Sequence, residues 1–243
     1  MKSSVIVIPF FNEASRIMGG EYLKELCELV DADFIYVNDG STDKTLLKLN
    51  EVAKITKAKV INLEKNSGKG EAVRAGLKEA LSEGRYRIVG YLDADGAFPA
   101  LEVTNNLTKA YKVLSRSNID IYIASRIKMS GRQVERSLVR HYLSRLILTF
   151  IGFKTRNMPY DSQSGLKFFR TTERLFGAIY TPFKTRWFFD LELMSRLGFQ
   201  KKDCTWEEPV TTWKDIKGSK IGMRSVFNIF KEIFVIIRIL KKT

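Results

Sequence analysis

The chain has 243 residues, 44% of them hydrophobic, enough to bury one full core and a better fit to one elaborated domain than to two. Its formal net charge of +14 points to anionic partners, whether nucleic acid, anionic lipid or phosphorylated small molecules. Cys27 and Cys204 match no metal spacing or redox pair, so a disulfide framework has no support and a reducing compartment is expected.

In chain order, SVIVIP, DFIYVND, AKVINLE and YRIVGYLD read as strands, and STDKTLLKLNEVAKI and GKGEAVRAGLKEALSEG between them read as helices. The opening apolar run is too short for a secretory signal, and no run approaches the roughly 20 residues needed to span a bilayer. The alternation predicts an α/β fold with a mainly parallel central sheet and helices on its faces. A helix within residues 99–117 and a strand IDIYIAS follow. Gly131 to Phe153 has helical spacing, and YDSQSGLKFFR reads as turn plus strand. Helices at 171–179 and around FFDLELMSRLG, then a strand near DCTWEEPVTTW, complete the body. The last stretch predicts an amphipathic helix with Val226, Phe230, Ile233, Ile237 and Leu240 on its apolar face.

Each of the first four strands ends in a polar or glycine-containing loop: FFNEAS, NDGSTD, NSGKG and DADGA. In open α/β sheets this rim is where ligands bind. Asp93 and Asp95 can present oxygens to one hard divalent cation if the turn brings both to the rim; taken alone, the pair is as readily a turn. Asp39 offers an acceptor to a base or ribose, with turn and capping chemistry as the plainer reading. NSGKGEAVRAG opens a helix with free backbone N–H groups and adds Lys69 and Arg74, but it is neither a Walker loop nor a GxGxxG fingerprint.

Taken together, VIVIPFFNE, YVNDGSTDKT, NSGKGEAVRAG and YLDADG resemble the nucleotide-binding half of family 2 glycosyltransferases with the GT-A fold. The resemblance continues through ASR, VRHYLSR, DSQSGLKFF and FFDLEL. Within that family the pattern is most similar to the polyprenyl-phosphate glycosyltransferases, above all the dolichyl-phosphate β-glucosyltransferase branch. DADGA, WFFDLEL and WKDIKGSK carry that similarity, and Gly96 and Ala97 add no ligand side chain after the second Asp.

The resemblance implies a GT-A catalytic domain over residues 1–220, with a nucleotide-sugar half at 1–98 and an acceptor half at 99–220. A basic amphipathic helix at 221–243 follows it. It also implies an inverting transfer from a UDP-sugar, with Mg²⁺ or Mn²⁺ as cofactor. Pro9, Phe11, Glu13 and Asp39 would surround the nucleoside, with Phe11 in place of the usual Tyr. Asp93 would face ribose and metal, and Asp95 would be the direct metal ligand. Lys69, Arg74 and Lys220 are candidates to assist the diphosphate, because a departing nucleoside diphosphate gathers negative charge.

The acceptor stays open between a saccharide hydroxyl and a polyprenyl phosphate. A hydroxyl needs a carboxylate base, for which Asp190 is the candidate, with Asp161 or Glu192 in support. A phosphate is already ionised and needs cations to position it, a role that fits Arg126, Arg140 and Arg145. The basic segment from Arg126 to Arg156 and the C-terminal helix suit an anionic membrane surface, and a peripheral place on the cytoplasmic face is expected. Packing of that helix on the chain's own core, or on another protomer of a homo-oligomer, is the competing expectation. His141 is assigned no role. Nucleic acid is not an expected partner, because the basic residues alternate with aliphatic ones rather than with stacking aromatics.

Overall fold

On the first strand, β1 (Ser4–Phe10), Val5 and Val7 enter one buried cluster while Ile6, Ile8 and Phe10 enter another. A β-branched strand buried on both faces calls for a helical layer on each side. The computed structural model describes residues 2–17, 20–116, 118–135, 149, 151–152, 158–200, 204–216 and 223–242. The strands β2 (Asp33–Asp39), β3 (Lys59–Leu63) and β4 (Ile88–Leu92) alternate with helices α1 (Glu21–Leu29), α2 (Thr45–Thr56) and α3 (Lys69–Ser82). Then come α4 (Ala100–Leu114), β5 (Ile121–Ser125), β6 (Gln133–Glu135), β7 (Leu166–Arg170), α5 (Glu173–Tyr180) and α6 (Phe189–Arg196). The chain closes with β8 (Thr205–Pro209), β9 (Thr212–Lys214) and α7 (Met223–Lys242).

The central sheet has seven strands in the order β3-β2-β1-β4-β7-β5-β8, so it runs through both of the halves expected from the sequence. It is parallel except at β7, which lies antiparallel between β4 and β5. Helices α3, α5, α6 and α7 cover one face, through residues such as Leu77, Ile179, Leu193 and Ile236. Helices α1, α2 and α4 cover the other, through Leu26, Val52 and Leu107. This is the expected α/β class with a mainly parallel sheet and a C-terminal helix.

Two local expectations are corrected. Gln133–Glu135 pairs with β9 as a small separate sheet rather than continuing a helix, and residues 136–148 lie outside the described residues. The stretch read as a single strand near DCTWEEPVTTW is two, β8 and β9, which belong to different sheets. On α7 the expected Ile233 and Leu240 turn inward together with Ile229 and Ile236, Ile237 packs half-buried beside them, and Phe234 is 66% exposed. That face packs on α6 and the sheet core, so the helix uses its apolar stripe on its own chain. Among the described residues no helix is long and apolar enough to cross a membrane.

Candidate active site

Strands β1 and β4 are neighbours, with β2 and β3 lying to one side of them and β7, β5 and β8 to the other. Such a switch point opens a crevice at the carboxyl ends of the strands. A cleft of about 650 Å³ lies there, lined by Pro9, Phe11, Glu13, Asp39, Lys69, Asp93 and Asp95 together with residues the sequence did not single out.

The loops that wall the cleft are tied to one another. Asn12, at φ 53°, accepts the Thr42 N–H at 2.9 Å, Ser41 Oγ accepts the Asn12 N–H, and Thr45 Oγ1 accepts the Glu13 N–H. Gly40 allows the second and third loops to touch, since a Cβ there would lie 2.3 Å from the Lys65 carbonyl carbon. Asp39 fixes the glycine loop: its carboxylate accepts the N–H groups of Ser67 at 2.7 Å and Gly68 at 2.8 Å. Part of the polar chemistry in NDGSTD therefore builds the rim.

Both aspartates reach this rim because the chain turns after Leu92 instead of continuing the pleat. The Asp93 N–H donates to Gly165 O at 2.8 Å, and a Cβ on Gly165 would lie 2.5 Å from Asp93 Cγ. Only a glycine at position 165 leaves room for that carboxylate. Lys69 Nζ sits 2.6 Å from Asp93 Oδ1, over the rings of Tyr91 and Phe189. Burial draws the Lys69 ammonium down, but Asp93 and Asp190 more than offset it and hold the group above its ordinary value. Asp95 Oδ1 accepts the Ala97 N–H at 3.0 Å, and burial followed by the nearby Asp93 charge pushes its carboxyl up. Glu13 is also raised, by burial first and by Asp95, against the opposing pull of Arg16.

Carboxylates outnumber cations in the cleft: Glu13, Asp39, Asp93, Asp95 and Glu232 stand against Arg16, Lys69 and Arg186. Among the described residues the buried Asp93 Oδ1 accepts no well-directed hydrogen bond, its close neighbour being the Lys69 ammonium. An acidic lining, a buried oxygen with a spare lone pair and two crowded carboxylates fit a hard divalent cation. Asp93 and Asp95 would hold it.

Other expected residues lie elsewhere. Arg74 is five positions after Lys69, roughly 140° round the helix; it pairs with Glu71 at 2.8 Å and reaches the carbonyls of Ile179 and Tyr180. It does not line the cleft, which corrects its expected diphosphate role. Arg126 and Asp161 are brought together, but as a pair: Nε to Oδ2 is 2.7 Å and Nη2 to Oδ1 is 2.7 Å. Burial would lower the Arg126 guanidinium, yet Asp161 raises it.

Asp190 is buried under the cleft floor, 2.7 Å from Lys167 Nζ and hydrogen-bonded by the Tyr91 hydroxyl. Lys167 has no exposed surface, and burial outweighs Asp190 to pull its ammonium below the ordinary value. Glu192 accepts the N–H groups of Lys184 and Thr185 and pairs with Arg196 at 2.7 Å. All three expected acid–base carboxylates are thus committed to structural partners. Arg140, Arg145 and Lys220 lie outside the described residues.

The sequence reading missed Arg16, Asn66, Arg186, Trp187, Ile229 and Glu232, all of which line the cleft. Arg186 and Trp187 directly precede FFDLEL, so their signal was at hand. Nothing local in Ile229 or Glu232 could have announced that α7 folds back to the rim.

The sequence pattern described as Glycosyl transferase family 2 matches residues 5–195. The human dolichyl-phosphate beta-glucosyltransferase is 31% identical over 238 residues, which cover 90% of this chain and 70% of that relative. The Dictyostelium discoideum protein of the same description is 27% identical over 231 residues, 89% of this chain and 68% of its own. Among solved structures, glucosyl-3-phosphoglycerate synthase from Mycobacterium tuberculosis in complex with Mn²⁺, UDP-Glc and phosphoglyceric acid has a TM-score of 0.63. It is 18% identical, over 97% of this chain and 78% of that one. A mannosyltransferase from Pyrobaculum calidifontis in complex with GDP-Man and Mn²⁺ has a TM-score of 0.58 at 17% identity, over 90% of this chain and 58% of that one. These structures share the GT-A fold. The chain belongs to glycosyl transferase family 2 and is a glycosyltransferase.

Proposed function

We propose that the chain moves glucose or a related hexose from a UDP-sugar to a polyprenyl phosphate, with inversion, at the cytoplasmic face of a membrane. The observation that carries this reading is the convergence of Lys69, Asp93 and Asp95 in one cleft at the switch point of the sheet. Similarity to the human dolichyl-phosphate beta-glucosyltransferase supports the choice of sugar and acceptor.

In the reaction an acceptor phosphate oxygen attacks the anomeric carbon from the face opposite the nucleotide. The bond from that carbon to the donor's β-phosphate oxygen breaks, and UDP leaves with the electron pair. A bound Mg²⁺ or Mn²⁺ would neutralise charge on the diphosphate as it departs. Lys69 is fixed in the cleft by Asp93 and adds a positive field there. Phe11, 44% exposed on the cleft wall, offers a ring for the base to pack on. No proton has to be removed from an ionised phosphate, which accords with the commitment of Asp190, Asp161 and Glu192 to structural partners. A hydroxyl acceptor would need one of them released.

The outward side of α7 carries Lys231, Phe234, Arg238 and Lys241, a basic face with one aromatic that suits an anionic lipid surface. Incubation with UDP-glucose, Mn²⁺ and a polyprenyl phosphate is expected to release UDP and form a glycolipid. Absence of both products across a panel of donors and acceptors would overturn the reading.

A further inference from the structure

Three cations line the cleft, and they are not equally engaged. Arg16 pairs with Glu13 at 3.0 Å and Lys69 with Asp93 at 2.6 Å. Among the described residues Arg186 has no carboxylate within ion-pair distance, and its guanidinium makes one hydrogen bond, from Nη2 to Asn66 Oδ1 at 2.7 Å. A guanidinium has five N–H donors, so most of this one's capacity is unspent.

The position of Arg186 is built from three parts of the chain. It lies against the glycine loop, where Gly68 has φ +96° and a Cβ would stand 2.7 Å from Arg186 Nε. Asn66 from the same loop holds one end of the fork. The next residue, Trp187, donates its N–H to Glu232 Oε2 on α7 at 2.7 Å, and Glu232 itself lines the cleft. The C-terminal helix therefore forms part of the cleft wall and anchors the segment that carries Arg186.

We infer that Arg186 binds phosphate oxygens of a substrate in the cleft and that Glu232 is its positioning residue, acting through the Trp187 backbone. A planar fork with free donors in a concave site is suited to phosphate, which it can grip at two oxygens. The inference rests on the transfer proposed above, where two substrates carry phosphate: the donor through its diphosphate and the acceptor through its headgroup.

The test uses the full chain with Mn²⁺, titrated calorimetrically with UDP, uridine and inorganic pyrophosphate, alongside the KM for polyprenyl phosphate. Arg186→Ala is expected to weaken UDP and pyrophosphate by at least about tenfold while leaving uridine unchanged, if the donor is the source. If the acceptor is the source, the KM for polyprenyl phosphate rises by a similar factor and UDP affinity holds. Arg186→Lys should recover part of either loss. Glu232→Gln, whose amide oxygen still accepts the Trp187 N–H, should keep more of the phosphate affinity than Glu232→Ala. Glu232→Ala should lose phosphate affinity alone, with no further loss when added to Arg186→Ala.

Unchanged phosphate affinities and unchanged acceptor KM in a folded Arg186→Ala protein would overturn the inference, as would an equal loss of uridine. Should the parent chain transfer no sugar, the proposed reaction fails, and pyrophosphate still decides Arg186. Weaker pyrophosphate binding in the variant supports the inference, and equal binding sinks it.

Discussion

Lys69 Nζ and Asp93 Oδ1 meet at 2.6 Å on the cleft floor, joining the first turn of α3 to the end of β4. The contact pins the ammonium in place while 39% of the Lys69 side chain stays accessible. Asp95, two residues on, has no cation at ion-pair distance among the described residues and holds only the Ala97 N–H. One carboxylate is thus balanced by the protein and the other stands ready for an added cation.

Gly165 is expected to be indispensable to that arrangement. Its absent Cβ would fall 2.5 Å from Asp93 Cγ, too close for the side chain to stay. Gly165→Ala should cut turnover by at least about tenfold through displaced Asp93. The checks are steady-state rates and thermal melting, and a variant with full activity would show that Asp93 has room to shift.

Asp190→Asn is expected to act first on stability. It leaves the fully buried Lys167 ammonium without its counter-charge, which typically costs about 3–5 kcal/mol. Chemical denaturation should show that loss, and Lys167→Met in the same chain should restore part of it, because no buried charge remains. A Asp190→Asn protein of unchanged stability and no activity would instead return Asp190 to the role of base.

The metal's effect should depend on pH. The Asp95 and Glu13 carboxyls are raised, so above about pH 4 the folded protein holds protons that the unfolded chain has released. In that window the metal-free protein loses stability as pH rises, until both groups are ionised. A divalent cation binds the ionised form, so its stabilising shift in Tm should be present at neutral pH and vanish on acidification. Melting curves with and without Mn²⁺ across pH check this, with a pH-independent shift as the contrary result.

Helix α7 separates two roles by face. Ile236 is fully buried against α6 and the sheet, and Ile236→Ala should cost about 2–5 kcal/mol. Phe234 is 66% exposed, and Phe234→Ala should leave stability within about 0.5 kcal/mol. The Phe234 variant should bind anionic vesicles more weakly than the parent in a sedimentation assay. Equal vesicle binding would remove that ring from the membrane contact.

The rim loops were legible because each is a short local pattern: a β-branched run, then Asp, Asn or Gly where the strand ends. Lys69, Asp93 and Asp95 followed from those patterns. Arg74 was misplaced because a list of basic residues after a glycine loop ignores the 140° that separates it from Lys69 on the helix. The pairing of Asp190 with Lys167 is not legible in the sequence, because Lys167 lies on another element and the burial of both shows only once β7 inserts antiparallel beside β4. Helix α7 was recognised by its spacing, but not which way it faced. Its stripe suits a bilayer or a protein core equally, and the contact with α6 decides between them.

The proposed role of Asp95 as a cation ligand is tested most directly by calorimetric titration of UDP. The parent protein should bind UDP at least about tenfold more tightly with Mn²⁺ than without. Asp95→Asn keeps the oxygen that accepts the Ala97 N–H, so it should fold normally and show no gain from Mn²⁺. An undiminished Mn²⁺ effect on UDP binding in that variant would contradict the account.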